Sequence, residues 1–375
     1  MDRAGAAVVG AAAMLACNVL TMEEAYRAVH FDTLLLLFGM MIVVANLRLS
    51  GFFAVAARWA VGNAHQPIVL LAAIALVAGV FSAFFVNDTM CLVLTPLVLE
   101  VTARLRRNPV PYLLCVAMAS NVGSVATITG NPQNMMIGSF SGIPYRVFTA
   151  ALAPVALAGL VLTVAVIAAA YRAEFRSAGR IAVQRRRPRY NRVLLWKSLA
   201  VSAAMIVFFF AGWPVPKVAI VAGGTLLVTR RVKPEKVYRE IDWPLLVMFG
   251  GLFVVTAGVE KTPWFAALPA QVARLRLDNL AILSAVSALL SNIVSNVPAM
   301  LLFRPFLERV ADADRAWLAL AMSSTLAGNL TMLGSVANLI VAQHARRKVE
   351  IGFWDYARAG IPLTLLTLLV GIWLL

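Results

Sequence analysis

Four long apolar segments of this chain are interrupted by short polar clusters, and this feature constrains the fold most. The clusters lie at 82–89, 120–134, 291–296 and 323–338. A helix broken inside a bilayer frees backbone groups, so such breaks occur only where protein or a water-filled cavity surrounds them. The chain is 61% hydrophobic and 13% charged, whereas a soluble domain carries roughly 25% charged residues. Together these features predict an all-α membrane protein.

The net charge of +16 comes mainly from loops between apolar segments. Its densest run lies at 172–197. Short basic loops beside membrane spans face the cytoplasm, so we interpret 172–197 as a cytoplasmic connector and expect no nucleic-acid partner. The charges of the other loops then place the N-terminus in the cytoplasm and the C-terminus in the periplasm. This predicts a multi-pass protein of a bacterial-type inner membrane.

Three blocks of residues recur in the second part of the chain, in the same order. They are Asp32 to Gly39 with Asp242 to Gly250, Ser82 to Pro96 with Ser291 to Pro305, and Ser120 to Asn134 with Ser324 to Asn338. The first hairpin segment ends in a basic loop, and its counterpart ends in a loop of mixed charge. This difference indicates that the two repeats have opposite orientations in the membrane.

The predicted architecture is an inverted-repeat transporter with about nine transmembrane helices and two re-entrant hairpins. The predicted boundaries are 1–171 for the first repeat, with a hairpin near 68–101 and a broken helix near 112–139, and 198–375 for the second repeat, with a hairpin near 280–307 and a broken helix near 317–342. Paired broken helices in inverted repeats indicate where a transporter binds its substrate.

The polar clusters combine two kinds of binding group. Hydroxyls, amide oxygens and carbonyls freed by unwinding suit a hard cation such as sodium. Helix N-termini that start at Asn87 and Asn296 suit an anion. The predicted sodium ligands are Ser82, Asn87, Gly130, Ser291, Asn296 and Gly334. The predicted substrate-binding residues are Asn87, Asp88, Thr89, Asn131, Pro132, Asn134, Ser295, Asn296 and Asn338.

Two alternatives apply to these residues. A single Ser/Asn/Thr cluster in a membrane helix often serves interhelical packing, but four clusters at matched places favour a site. Asp88 is the one carboxylate expected at membrane depth. It fits a proton-coupling group or a cation ligand, and it equally fits a helix cap formed by Asn87, Asp88 and Thr89.

At these motifs the chain resembles the ion transporter superfamily, which includes sodium-coupled dicarboxylate and citrate symporters and arsenite permeases. The resemblance covers nearly the whole chain and implies a scaffold domain, a transport domain with both hairpins, and elevator-like alternating access. In the symporters each hairpin tip is Ser-Asn-Thr. Here the tips are Val86-Asn87-Asp88 and Ser295-Asn296-Val297. An acid beside the site would repel a dicarboxylate, which disfavours that class of substrate. The Asn-Asp pair at the first tip resembles the arsenite-permease branch.

The predicted function is therefore secondary active transport of a small inorganic or organic anion, coupled to sodium or protons and needing no further cofactor. The main alternative is an arsenite, antimonite or cation/proton antiporter. A membrane-embedded enzyme is disfavoured because the sequence lacks HExxH, GxSxG and CxxC, and a channel ranks below a transporter. The partners are the anion and the lipid bilayer, and a homodimer is compatible with the sequence.

Overall fold

The computed structural model describes residues 2–62, 64, 66–176, 190–228, 233–263, 265, 276–307 and 310–375, and within these ranges all regular structure is helical. The first half contains α1 (Arg3–Ala16), α2 (Met22–Ala28), α3 (Phe31–Ser50), α4 (Phe52–Gly62), α5 (Pro67–Phe85), α6 (Asn87–Arg104), α7 (Pro109–Ser124), α8 (Pro132–Ser141), α9 (Tyr145–Ala170) and α10 (Arg172–Phe175). The second half contains α11 (Arg192–Phe210), α12 (Val215–Leu227), α13 (Pro234–Tyr238), α14 (Trp243–Glu260), α15 (Leu280–Val294), α16 (Asn296–Leu307), α17 (Ala313–Leu326), α18 (Val336–Ala345) and α19 (Phe353–Leu374). The predicted all-α class is confirmed.

Six of these helices are long and apolar enough to cross a membrane. They are α3, α5, α9, α11, α14 and α19. Polar side chains mark several helix starts by accepting the first free backbone N–H groups. These caps are Asn108, Asn191, Asp242 and Asn279. The chain is therefore a multi-pass membrane protein whose apolar runs form the spans and whose polar residues set the ends.

The predicted connector at 172–197 differs from the structure at both ends. Its first residues form the short helix α10, and its last residues already belong to α11. Asn191 caps α11 through the backbone N–H of Leu194, and Lys197 donates a 2.7 Å hydrogen bond to the carbonyl of Thr225. Basic residues at 192–197 thus belong to a helix end, because the cap and the apolar run behind it extend the helix. The central part, 177–189, lies outside the described residues.

Two close helix crossings link the halves. A Cβ atom at Gly39 of α3 would lie 2.6 Å from the carbonyl carbon of Ala219 in α12. A Cβ atom at Gly251 of α14 would lie 2.7 Å from the carbonyl carbon of Ala7 in α1. The partners are thus exchanged between the halves. The sequence comparison paired Gly39 with Gly250, but the structure gives this position to Gly251, because the register is set by the helix N-caps His30 and Asp242.

The helices α5 and α6 are joined by a single residue, Val86, with φ of 64°. Their contacts with α7 show that they run in opposite directions. The Cys115 thiol meets the carbonyl of Leu71 in α5 at 3.6 Å, and Ser120, one turn later, meets Ser82. In α6 the order is reversed along α7, from Cys91 near Val116 to Asn87 at Ser120. We call the pair α5–α6 the first hairpin.

The pair α15–α16, the second hairpin, has the same local backbone. Its joining residue, Ser295, has φ of 78° and stands directly before Asn296, as Val86 stands before Asn87. A positive φ is unfavourable for residues other than glycine and persists where the surrounding structure imposes it. The two tips are therefore built alike despite different residues at the joint.

Two broken helices lie at the centre of the molecule. Helix α7 passes through a 3-10 turn, Ile128–Gly130, into α8, and α17 passes through Met332–Gly334 into α18. The residues before these turns, Thr127 and Thr331, are both extended, with φ of −140° and −130°. Helix α18 packs against α6 and α7, and α8 packs against α16 and α17. Each half thus contributes a broken helix to the other half's hairpin.

Candidate functional site

Four helix N-termini occur at the breaks. Helices α6 and α16 begin at the two tip asparagines, Asn87 and Asn296. Helices α8 and α18 begin after the N-caps Asn131 and Ser335. Helix N-termini carry free N–H groups and a partial positive charge, which favour an anion or a ligand oxygen. The structure therefore provides the helix starts that the sequence predicted at Asn87 and Asn296.

The side chain of Asn121, in α7, joins two of these four helix starts, those of α6 and α18, and also contacts Asn329. Its Nδ2 donates to Asn329 Oδ1 at 2.9 Å and to Asn338 Oδ1 at 3.1 Å. Its Oδ1 accepts from Asn87 Nδ2 and from Ser335 Oγ, both at 3.0 Å. Asn121 is 1% exposed, so these bonds are shielded from water. The residue was absent from the predicted site.

Thr325, in α17, is the residue of the second half that matches Asn121, and it contacts the broken helix of the first half. Asn131 Nδ2 and Gln133 Nε2 each donate to Thr325 Oγ1 at 3.2 Å. Thr325 Oγ1 lies 3.5 Å from Asn134 Oδ1. Asn121 faces the break of the second half and Thr325 faces the break of the first, so the broken helices are tied together across the halves.

The predicted substrate residues Asn134 and Asn338 hold the unwound backbone. Their Nδ2 groups donate to carbonyls that the breaks release. The bonds run from Asn134 to Ser124 at 3.1 Å and to Thr127 at 3.0 Å, and from Asn338 to Gly328 at 2.7 Å and to Thr331 at 3.1 Å. Because these amide donors are engaged, only the Oδ1 atoms of the two residues face the opposite half.

The first tip is held by a buried hydrogen-bond network. Ser82 and Ser120 hydroxyls are 2.8 Å apart, and Ser120 Oγ donates to the carbonyl of Asn87 at 3.0 Å. The Asn87 Oδ1 atom is buried without a hydrogen-bond partner in the described part of the chain. Asp88 and Thr89 follow in the first turn of α6 and are partly exposed.

The second tip has fewer internal bonds. Ser291 Oγ and Asn296 Oδ1 are both buried atoms that find no partner among the described residues. Val297 stands where the first tip has Asp88. A buried acceptor without a partner costs about 1–3 kcal/mol, so both tip asparagines present an oxygen that a bound cation or donor would satisfy.

The predicted residues of the broken-helix loops serve close packing and helix initiation. A Cβ atom at Gly130 would lie 2.0 Å from the carbonyl oxygen of Ser124, and one at Gly334 would lie 2.8 Å from Asn292 Oδ1. Pro132 occupies the first turn of α8, where its missing N–H is harmless. These glycines permit the approach of oxygen atoms that could also contact a cation.

The hairpin tips and breaks carry no lysine or arginine. Arg304 lies further along α16, where its guanidinium stacks over the Phe140 ring at 4.3 Å. Within the tips and breaks themselves, the binding groups are therefore neutral side-chain dipoles and helix N-termini, with Asp88 as the charged residue of the first tip. Such a set can hold a hard cation through oxygens beside a small substrate at the helix starts.

Several known proteins to which this chain is similar are named as transporters. The family model described as "Citrate transporter" matches residues 1–327. The silicon efflux transporter LSI3 of Oryza sativa is 30% identical, over 99% of this chain and 92% of that protein. The putative transporter arsB of Dictyostelium discoideum is 22% identical, over 99% and 87%. The crystal structure of the Alcanivorax borkumensis YdaH transporter matches with a TM-score of 0.64 and 16% identity, over 91% of this chain and 83% of that one.

Proposed function

Because this chain belongs to the citrate transporter family, we propose that it is a secondary active transporter that moves a small anion across the inner membrane. One observation carries the proposal. Two asparagines, Asn87 and Asn296, begin helices at matched breaks, and each keeps a buried oxygen that has no partner among the described residues. Matched broken helices are the form that binding sites take in transporters built from inverted repeats.

The mechanism we propose is elevator-type alternating access by two inverted repeats. Helices α1, α3, α12 and α14, which pack in exchanged pairs, would form the scaffold. The two hairpins, both broken helices, α9 and α19 would move together as the transport domain. The bonds of Asn121 to Asn87, Asn329 and Asn338 support this grouping, because they tie both broken helices and one tip into one unit.

The coupling ion in this proposal is sodium or a proton. Sodium would take oxygen ligands around each tip, from Ser82, Asn87 and the Gly130 loop in one half and from Ser291, Asn296 and the Gly334 loop in the other. A proton would instead use Asp88. Asn131, Pro132, Asn134, Ser295 and Asn338 remain proposed contacts of the substrate, with Thr89 beside them.

A second candidate is an arsenite, antimonite or cation/proton antiporter-type permease. Asp88 favours it, because its carboxylate stands at the first tip and would repel an anion with several charges. The acid also has no hydrogen bond or ion pair with the described residues, which leaves it available to a proton. Two relatives named for silicon efflux and for arsB agree with this branch.

Uptake into proteoliposomes tests the proposal. We expect saturable, gradient-driven uptake of one of citrate, phosphate, arsenite or silicate, driven by an inward sodium gradient or by a pH gradient. Asn87→Ala and Asn296→Ala should each lower uptake at least tenfold while the protein stays folded. Uptake that does not saturate would indicate a channel, and uptake unaffected by both variants would contradict the site.

A further inference from the structure

The buried face of α15, in the second hairpin, carries three serines in line. Ser284, Ser287 and Ser291 are 0%, 0% and 1% exposed. Their spacing places them on one helical face, because residues three, four and seven apart share a side. The line runs from the first turns of α15 to the tip, where Asn296 follows. We call Ser284, Ser287 and Ser291 the hydroxyl file.

The first hairpin shows that packing does not require these hydroxyls. The matched positions of α5 are Ala75, Ala78 and Ser82, which are 2%, 0% and 0% exposed. Small residues let membrane helices approach closely, and alanine and serine both do so. Alanine suffices in the first half at the two positions furthest from the tip. The additional hydroxyls of the second half therefore serve something other than close approach.

The hydroxyl file is also incompletely hydrogen-bonded. Ser287 bonds to the Ser323 hydroxyl of α17 and donates to the carbonyl of Ser284 at 3.1 Å. The hydroxyls of Ser284 and Ser291 have no partner within the described ranges. Serine in a membrane helix ordinarily bonds to a carbonyl one turn earlier, as Ser324 does to Leu320. Buried polar atoms without protein partners are normally satisfied by water or an ion.

We propose that the hydroxyl file is a hydrated path by which the coupling cation travels between the base of the second hairpin and the oxygen of Asn296. Hydroxyl dipoles lower the cost of bringing a cation into an apolar region. The file carries no carboxylate, so it would not trap the ion, and conduction needs sites that bind weakly enough to release. The path rests on the proposed transport function and adds the route to one of its two tips.

Cysteine accessibility tests the hydration of the file without relying on transport. Cys17, Cys91 and Cys115 are first replaced by alanine, and Ser284→Cys and Ser287→Cys are compared with Ala75→Cys and Ala78→Cys. The two pairs are matched in depth and burial. We expect small, charged methanethiosulfonate reagents to modify the second-hairpin cysteines at least tenfold faster than those of the first. Equal rates, or no reaction at any of the four positions, would overturn the proposal.

Turnover tests the role of the path. The double variant Ser284→Ala/Ser287→Ala copies the first hairpin. It removes the bonds of Ser287 to Ser323 and Ser284, so we expect a slightly lowered melting midpoint and an unchanged substrate Kd. We expect uptake driven by the coupling cation to slow about tenfold, while exchange of substrate at equal cation on both sides slows less. A sodium gradient and a pH gradient, applied separately, identify the cation. Undiminished turnover would contradict the path.

The two failures remain distinguishable. If the unmodified protein takes up none of the candidate substrates, the proposed function fails even where the cysteine rates differ. If uptake occurs but the double variant equals the unmodified protein, the function stands and the path is wrong. Size-exclusion chromatography of every variant confirms that a loss of uptake is not a loss of folding.

Discussion

The two hairpins meet their broken helices in different ways. In the first half, α5 and α7 touch through glycines, and a Cβ atom at Gly123 would lie 2.2 Å from the carbonyl oxygen of Gly79. In the second half, the matched positions are Ala288 and Ala327, and the Asn292 amide lies between them, donating to their carbonyls at 3.1 Å and 2.9 Å. The first hairpin therefore packs against its broken helix through direct backbone contact, whereas the second is joined to its broken helix by side-chain hydrogen bonds.

The tips differ in the same direction. Asn121 holds Asn87, but its counterpart Thr325 makes no corresponding bond to Asn296, whose oxygen stays unpartnered among the described residues. Elsewhere the halves agree, as at Gly39 and Gly251 and in the amides of the broken helices. The two halves have the same geometry at the helix crossings and differ at the hairpins. We therefore expect the second hairpin, rather than the first, to respond to a ligand.

The tight crossing should be the most sensitive point. Gly123→Val inserts atoms where the Gly79 backbone lies, and overpacking of this kind costs about 3 kcal/mol or more. The measurement is the thermal midpoint of the detergent-solubilised protein. Ala327→Gly, at the matched position of the second half, should cost at most about 1 kcal/mol, the penalty of glycine in a helix interior, because Ala327 is the C-cap of α17. A larger loss for Ala327→Gly than for Gly123→Val would reverse the comparison.

The asparagine at the centre should come next. Asn121→Leu leaves the polar atoms of Asn87, Asn329 and Asn338 without their partner, and orphaned buried groups cost about 1–3 kcal/mol. We expect a loss of about 2 kcal/mol in unfolding free energy by denaturant titration. Thr325→Val, the matched change, should cost less. Equal losses in unfolding free energy would contradict the comparison, because Asn121 and Thr325 would then stabilise the protein to the same extent.

The bridging amide of the second hairpin should have a smaller effect. Asn292→Ala removes two hydrogen bonds to backbone carbonyls and one from Thr331. Side-chain bonds in membrane proteins contribute about 0.6 kcal/mol each on average, so we expect the loss of these three bonds to cost between about 1 and 2 kcal/mol. Faster hydrogen exchange of residues 285–300, with residues 76–91 unchanged, would identify the loosened hairpin. Uniformly faster exchange would contradict it.

The smallest expected effect is at an exposed ion pair between the halves. Lys261 donates to Glu24 at 2.5 Å, and this bond, together with the hydrogen bonds between Glu24 and Thr21, lowers the pKa of Glu24 from 4.5 to about 2. A carboxyl with a depressed folded pKa stabilises the protein above its unfolded value and loses that contribution as the pH falls. The midpoint difference between the unmodified protein and Glu24→Gln should therefore be present at pH 6 and shrink from pH 4.5 towards pH 2. A pH-independent difference would exclude this linkage.

Sequence alone predicted the breaks because polar residues inside apolar runs are visible without a structure. Asn87 and Asn296 lie at the hairpin tips as predicted, and the all-α fold class follows from the length of the apolar runs. The register of Gly251 was missed because it depends on where α14 begins. The connector was predicted too long because basic residues 192–197 continue directly into an apolar helix.

The role of Asn121 could not be predicted, because its partners Asn329, Ser335 and Asn338 lie far away along the chain and only the fold brings them together. The first hairpin has Ala83 at the position that matches Asn292. This difference and the hydroxyl file could have been found by aligning the two hairpins at Ser82 and Ser291. The inverted orientation and the predicted binding residues stay predictions.

Ligand-dependent stability tests most directly the claim that the tips form the binding site. The thermal midpoint is measured in sodium against choline and across pH, with and without the candidate substrates, for the unmodified protein, Asn87→Ala and Asn296→Ala. A ligand of the folded state raises the midpoint with its concentration relative to Kd. The account predicts stabilisation of the unmodified protein that Asn296→Ala abolishes and Asn87→Ala weakens. Stabilisation of equal size in all three proteins would place the site elsewhere and contradict the account.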